Sequence, residues 1–277
     1  MIRSGKTVVV VGSTLKAGFL ALLLDRMLPH SNVSLVAESS VVGGTVQLPI
    51  LLSAVPEPYR EIFDPLIVKT WPGFVVKRAT REEHYPAQIS LVSGEQLHVE
   101  LLERFGAERL RFSDRIRRLD TQTIEFASGD SISAHEVIDV RQYIGPQPSG
   151  ILTPRYAMTV RDLDYEAPHE ITDPILYSEI ERCSDGIVFA QYLPLTETMV
   201  RETVYRPSSW TNAAPSQPAT VTRMEKFTVD ANDVFDRSLG TEFSAETIDF
   251  ATMLDGGIGD LLAKANRIAT RQIRIVA

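Results

Sequence analysis

A single cysteine, Cys183, stands in the 277 residues. It has no partner for an internal disulfide, so nothing calls for an oxidising compartment. A chain this long also buries enough apolar surface to fold without covalent staples. Metal-binding patterns are missing as well. The five histidines, His30, His84, His98, His135 and His169, form neither HxH nor HExxH, and no second cysteine exists to complete a zinc site. No metal is therefore expected. Positive charge is short, with 28 Lys plus Arg against 36 Asp plus Glu and a net charge of −8. Nucleic acid is excluded as the main partner, because phosphate binding needs clustered cations. No apolar run reaches the ~18 residues of a membrane-spanning helix, and no G-x-S-x-G elbow supports a hydrolase triad.

What remains is globular in composition, 44% apolar and 23% charged. The first residues, Met1–Lys6, are basic and precede apolar Val8–Val11. Gly12-Ser13-Thr14 and Lys16 interrupt that run and no small-x-small cleavage site follows. The expectation is a soluble cytoplasmic protein, with contact to a membrane surface allowed.

The opening is informative. Thr7–Val11 is a β-branched run, read as a buried parallel strand. Gly12-Ser13-Thr14 makes a turn. Leu15–Leu28 follows as a helix with Phe19, Leu22, Leu23 and Met27 on one face, ended by Pro29. Val33–Ala37 is a second strand closed by Glu38. Strand, glycine turn, helix and strand begin a dinucleotide-binding fold. Further on, Leu48–Phe63 holds Pro49, Pro56 and Pro58 and is expected to be irregular or a short helix. Leu66–Val68 reads as a short buried segment. Gly94–Gly106 reads as a helix, with Leu97, Leu101, Leu102 and Phe105 sharing a face. Thr121–Val140 is all β, with a hairpin turn at Ser128-Gly129-Asp130. The Pro- and Gly-rich stretch from Gln142 to Pro154 is a crossover between subdomains. Segments 158–164, 175–177, 186–192, 199–205 and 219–227 are then expected as strands of a largely antiparallel sheet. Asp255–Asp260 is a glycine-rich turn before a last helix, Leu261–Arg271.

In the dinucleotide pattern G-x-G-x-x-G/A, the first glycine makes the turn, the second admits the pyrophosphate, and the third allows close helix–strand packing. Here those positions read Gly12, Thr14 and Ala17. Thr14 is the departure, because a branched side chain stands where the pyrophosphate should lie. Glu38 falls roughly 20 residues further on, the place of the acid that bonds ribose hydroxyls.

Motifs in order along most of the chain resemble those of the lycopene cyclase family of carotenoid biosynthesis. Pro65–Phe74 resembles PLVxxxWxGYxV, Ser93–His98 resembles TSERLH, and Val137–Gln142 resembles VIDARG. Glu166–Leu176 resembles xAPHxxxxPxLMD, Asp185–Leu195 resembles DGYRFxYxLPL, and Arg201–Tyr205 resembles EDTxY. Met253–Ala269 resembles the C-terminal flavin loop. The departures are Thr14 for glycine, Gln142 for the last glycine of VIDARG, Arg201 for an acid, and Asp255–Ile258 for HPTT. The chain is identified as a divergent or shortened member of the family.

The resemblance implies a flavin-type Rossmann α/β fold with an antiparallel substrate sheet. Residues 1–60, 92–150 and 240–277 are expected to form the nucleotide-binding domain, and 61–91 with 151–239 the substrate subdomain. It implies FAD as cofactor, with NADPH as the reductant it allows, and a hydrophobic polyene or isoprenoid substrate. The oligomeric state is left open. The implied reaction is an acid-initiated, non-redox cyclisation, placing the protein with the isomerases and intramolecular lyases. Such a site needs a protonated carboxyl in apolar surroundings and aromatic faces to stabilise a cation. Glu202 is the candidate acid, against an ordinary salt-bridged strand residue. By strand alternation Arg201, Thr203 and Tyr205 should face away from it. Trp71, Phe74, Phe189 and Tyr192 are candidate lining residues, against plain core. Gly12, Thr14, Ala17, Glu38, Asp139 and Gly259 are candidate cofactor contacts. Asp185 is read first as a turn residue, and Cys183 as inert. Two alternatives stand beside the cyclase: a non-catalytic, flavin-free relative binding a lipid or partner, and a flavin monooxygenase-like enzyme.

Overall fold

The computed structural model describes residues 5–52, 55–78, 81–141, 155–183, 186–207, 220–230 and 258–274. In chain order the elements begin with β1 (Thr7–Val11), α1 (Leu15–Met27), β2 (Asn32–Ala37), β3 (Gln47–Leu51), α2 (Glu57–Arg60), β4 (Ile67–Trp71), β5 (Phe74–Arg78), β6 (Arg81–Tyr85) and β7 (Ile89–Ser93). They continue with α3 (Gly94–Phe105), β8 (Leu110–Phe112), β9 (Ile116–Leu119), β10 (Thr123–Phe126), β11 (Ser131–Ser133) and β12 (Glu136–Asp139). The last are β13 (Arg155–Asp164), β14 (Ile175–Cys183), β15 (Gly186–Pro194), β16 (Met199–Pro207), β17 (Thr220–Asp230) and α4 (Ile258–Arg274).

The first layer is a parallel sheet in the order β12-β1-β2-β8. Its central strand β1 is apolar on both faces because both are covered. Val8 and Val10 join the cluster with α1, α3 and α4, while Val9 and Val11 pack on Ile124 and Phe126 of the β9–β11 sheet. Helix α1 is expected to bury one stripe, yet Leu15 and Ala17 through Asp25 are all buried. The reason is that it packs against β1, β2, α3 and α4 at once. Gly18 permits this, since a Cβ there would lie 2.6 Å from Leu97 Cδ2. Asp25 is buried and held by Arg109 at 2.8 Å and Arg104 at 3.1 Å.

Three local expectations are corrected. Residues 47–51 form β3 and overlap the proline-containing stretch 48–63 expected to be irregular or a short helix, where α2 is that short helix. Strand β3 is an edge strand of the β3-β7-β4 sheet, where Pro49 sacrifices no central ladder bond. Leu66–Val68 is not a buried segment throughout: Val68 lies on the outward side of β4 and is 44% exposed. The expected turn 255–260 and helix 261–271 change at their boundary, because α4 already runs from Ile258 and Gly259 is helical. The short strand β8 carries no apolar pattern to announce it, and a left-handed Ser113, φ 60°, ends it.

The second layer is a seven-stranded sheet, β17-β13-β16-β15-β14-β5-β6, antiparallel except where β14 runs parallel to β5. All five expected strands of the C-terminal half are present and each is longer than its apolar run. Two aromatic and aliphatic clusters sit on its opposite faces. One gathers Trp71, Phe74, Leu176, Phe189, Leu193 and Tyr205, and the other Val75, Ile175, Ala190, Tyr192, Val200 and Val204. Burying each such side chain contributes ~1.5–3 kcal/mol.

Candidate functional site

The glycine turn is the first site element. Gly12 has φ +154°, and a Cβ on it would sit 3.0 Å from the Ala17 Cβ. The first and third positions of the pattern thus do what the pattern requires, turn and close packing. Thr14 is the N-cap of α1, its Oγ1 accepting from the Ala17 N–H at 3.3 Å. The branched residue that breaks the pattern therefore satisfies one of the helix's unpaired first-turn donors itself. The loop after β2 closes over this turn, with the Gly43 N–H donating to Ser13 O at 2.8 Å. Gly43, φ +78°, passes so near Gly94 that a Cβ would stand 2.7 Å from its Cα.

Glu38 and Asp139 lie at the carboxyl ends of β2 and β12, the two parallel strands that flank β1, the end at which such sheets bind nucleotides. The Glu38 carboxylate accepts from the Ile116 N–H at 2.9 Å and faces Arg141 at 3.4 Å. Asp139 accepts from the Arg141 backbone N–H and Nε, each at 3.0 Å, and from Nη2 at 2.8 Å. Burial opposes ionisation of Asp139. The Arg141 hydrogen bonds and charge, with the Lys264 charge, outweigh it and hold the carboxyl below its ordinary value. Lys264 of α4 is lowered, by burial first and then by Arg267, against the pull of Asp139. Arg141 and Lys264 were not singled out as candidates. Arg141 follows the VIDARG-like strand end, so its position offered a signal, whereas Lys264 has none in local sequence.

The second element lies on one face of the seven-stranded sheet, beneath the loop that leads into β3. Cross-strand register sets Leu193, Arg201 and Asp162 side by side, and likewise Gln191 with Thr203 and Phe189 with Tyr205. Arg201 is buried and donates from Nε and Nη2 to Asp162, both at 2.7 Å, and from Nη1 to Gln47 Oε1. A second polar clasp is formed where Thr45 Oγ1 donates to Glu225 at 2.8 Å and Arg223 bonds both Glu225 and the Thr45 carbonyl. Between loop and sheet is a narrow cavity of about 40 Å³, walled by Val46, Leu48, Pro49, Met158, Val160 and Leu193, with Gln191, Arg201, Thr203 and Tyr205 at its polar side. Burial pushes the Tyr205 phenol up, so it remains a neutral donor.

Glu202 points the other way. It is fully buried, and Arg161, its partner across β13, donates to its Oε2 from Nε and Nη2. Tyr192 is its neighbour on β15. Burial, and then the Glu202 charge, raise the Tyr165 phenol. The alternation expected along β16 holds: Arg201, Thr203 and Tyr205 share the cavity face and Glu202 does not.

The candidate lining aromatics divide in the same way. Trp71, Phe74 and Phe189 belong to one buried cluster, with Phe74 stacked on Tyr85 at 4.9 Å and Phe189 on Tyr205 at 4.6 Å. Tyr192 belongs to the opposite face, with Glu202. None of the four lines the cavity. Asp185, Gln142 and residues 253–257 lie outside the described residues. Among the described residues no group of three or more metal-ligating side chains occurs, and no helix is long and apolar enough to cross a membrane.

No family model matches the chain. Lycopene beta-cyclase of Pantoea ananas is 23% identical over 199 residues, which are 71% of this chain and 51% of that protein. The chain thus spans about half the length of this curated relative. A geranylgeranyl bacteriochlorophyll reductase-like protein of Thermoplasma acidophilum superposes with a TM-score of 0.66 over 99% of this chain and 79% of its own, at 11% identity. A Diels-Alderase of the pyrroindomycin pathway superposes with a TM-score of 0.50 over 82% and 56%, at 14% identity. The order β12-β1-β2-β8, the glycine turn into α1 and the antiparallel sheet set against them agree with these likenesses: the chain has the flavin-type Rossmann α/β fold with an appended antiparallel sheet.

Proposed function

We propose that this protein binds FAD at the β1–α1 turn and acts as an enzyme on a hydrophobic isoprenoid or related polyene. The observation that carries the cofactor is the turn itself. Gly12 turns β1 tightly into α1, where any Cβ would press on Ala17 and Val140, and Glu38 follows β2 where ribose hydroxyls would be met. When bound, FAD supplies a redox-active ring. Gly12 makes the turn that aims the first turn of α1 at the pyrophosphate, where its N–H groups would serve as donors, and Glu38 would exchange its Ile116 bond for ribose hydroxyls. The 23% identity to a lycopene beta-cyclase supports the isoprenoid part, with residues 1–60, 92–150 and 240–277 as the nucleotide-binding portion.

Acid-initiated cyclisation is the finer part of this reading. It requires a carboxyl free to give up a proton beside the substrate. Glu202 is matched with Arg161 on the far face, while on the cavity side Asp162 is matched with Arg201 and Glu225 with Arg223. The Arg161 pairing supports a structural role for Glu202. Turnover retained in Glu202→Gln, after correction for unfolded protein, is the expected result; turnover lost with the fold intact restores it as the acid.

A second reading is a flavin-free relative that binds a lipid, and Thr14 favours it, because its hydroxyl already caps the helix that would meet pyrophosphate. The visible absorption spectrum of the purified protein, before and after FAD is added, separates the two. A bound flavin band supports the enzyme. No band at saturating FAD, in the wild type and in Thr14→Gly, overturns it and leaves the flavin-free relative.

A further inference from the structure

The cavity between the β3 loop and the sheet is faced by polar groups that the fold leaves free to bond a ligand. Gln191, Thr203 and Tyr205 are all buried on adjacent strands. The Tyr205 hydroxyl donates to Gln191 Oε1 over a long 3.4 Å. Among the described residues, the Thr203 hydroxyl and the Gln191 amide nitrogen find no protein partner, and both residues line the cavity. Neither atom is sealed from solvent, so water pairs them in the free protein, and a ligand end that displaces that water must supply the same bonds or lose affinity.

The remaining walls define what would pair with them. Val46, Leu48, Pro49, Met158, Val160 and Leu193 are apolar, and the polar Thr45 and Gln47 already bond Glu225 and Arg201. Both cations nearby are neutralised, Arg201 by Asp162 and Arg223 by Glu225. An anionic end group, phosphate or carboxylate, would find no free positive charge, and a bare hydrocarbon end would leave the amide and hydroxyls unpaired. A volume of about 40 Å³ admits the end of a chain, not its length.

We infer that the cavity recognises a neutral oxygen-bearing end, a hydroxyl or carbonyl, of an otherwise apolar chain, with Gln191 and Thr203 as the groups that read it. Gln191 donates through its amide nitrogen, and Thr203 donates and accepts through its hydroxyl. The inference rests on the isoprenoid reading above and narrows it to oxygenated isoprenoids.

Farnesol and farnesene carry nearly the same apolar chain and differ at the hydroxyl. Calorimetric titration of the full chain, saturated with FAD, compares them in wild type and in Thr203→Val, Thr203→Ser and Gln191→Leu. Farnesol is expected to bind at least about tenfold more tightly than farnesene, as a site that pairs a buried hydroxyl rejects the analogue lacking it. Thr203→Val and Gln191→Leu should each reduce that ratio severalfold, and Thr203→Ser should keep it. If Gln191→Leu does not fold, the Thr203 pair decides.

Equal or tighter binding of farnesene overturns the inference, as does a ratio unchanged in Thr203→Val. Tighter binding of farnesyl diphosphate than of farnesol overturns the neutral end. Variants that weaken FAD and leave the ratio intact assign the polar groups to the cofactor and overturn it too. Binding of neither chain overturns it together with the isoprenoid reading, while the flavin spectrum tests the cofactor separately.

Discussion

Adjacent residues of β16 meet two different environments. Arg201 and Glu202 are both buried and each is matched with an opposite charge on β13, Asp162 and Arg161. The Glu202 pair ties strand to strand and stands among Tyr192, Val200 and Val204. The Arg201 pair goes further, because Arg201 also reaches Gln47 at the start of β3. That strand follows the loop whose Gly43 bonds Ser13 in the glycine turn. One face of the sheet is therefore joined to the glycine turn through Arg201 and the β3 loop, and among the described residues the Glu202 pair makes no such link. Chemistry at the cavity depends on which face a side chain takes, and a single residue step decides it.

The sharpest way to break this contrast is Arg201→Ala. It strands the buried Asp162 carboxylate and frees Gln47, and should cost about 3–5 kcal/mol in a denaturant titration. The variant should also bind FAD more weakly if the β3 loop is held from below. Glu202→Gln should cost less, about 2–3 kcal/mol, because Arg161 is 15% exposed and water can partly solvate it once unpaired. FAD and ligand affinities should stay unchanged. A fall in FAD affinity equal to that of Arg201→Ala would erase the distinction between the faces.

Thr14→Gly tests the turn that the inner face connects to. Losing the cap should destabilise by a few tenths of a kcal/mol. FAD should bind more tightly, read by titration of the flavin absorbance, and unchanged affinity would show that the threonine does not obstruct. The smallest effect concerns acid. Asp139 is held below its ordinary value in the folded state. Its stabilising contribution is then fully present above the unfolded carboxyl range, about 3.9, and is lost as pH falls through the lower folded value. Asp139→Asn should flatten the stability profile below about pH 4, measured by thermal unfolding across that range.

Much of the nucleotide-binding end was legible. A run of valines flanked by a glycine turn can be buried on both faces only inside a covered parallel sheet, and Glu38 falls at the end of the next strand by spacing alone. The strands of the second sheet were legible as alternating apolar runs. What escaped were features without local pattern: β8, three residues among charges, and β3, masked by a proline that an edge strand tolerates. The site was less legible. Alternation could say that Glu202 and Arg201 face apart, but not which of them meets a cavity. Arg161, Asp162 and Gln47 carry no motif, and their part arises from cross-strand register and from a loop more than 100 residues away in sequence.

By itself the sequence determined the local patterns: apolar strand runs, a first helix with an apolar face, a turn requiring glycine at residue 12, and the order of motifs along the chain. These follow from local sterics and from the apolar surface each segment must bury. Tertiary structure alone decided that position 201 rather than 202 looks into the cavity, that Asp162, Glu202 and Glu225 each gain a guanidinium partner, and that Gln191 and Thr203 line the cavity. Those outcomes depend on which layer covers which face of the sheet, a matter of long-range packing that no local spacing encodes.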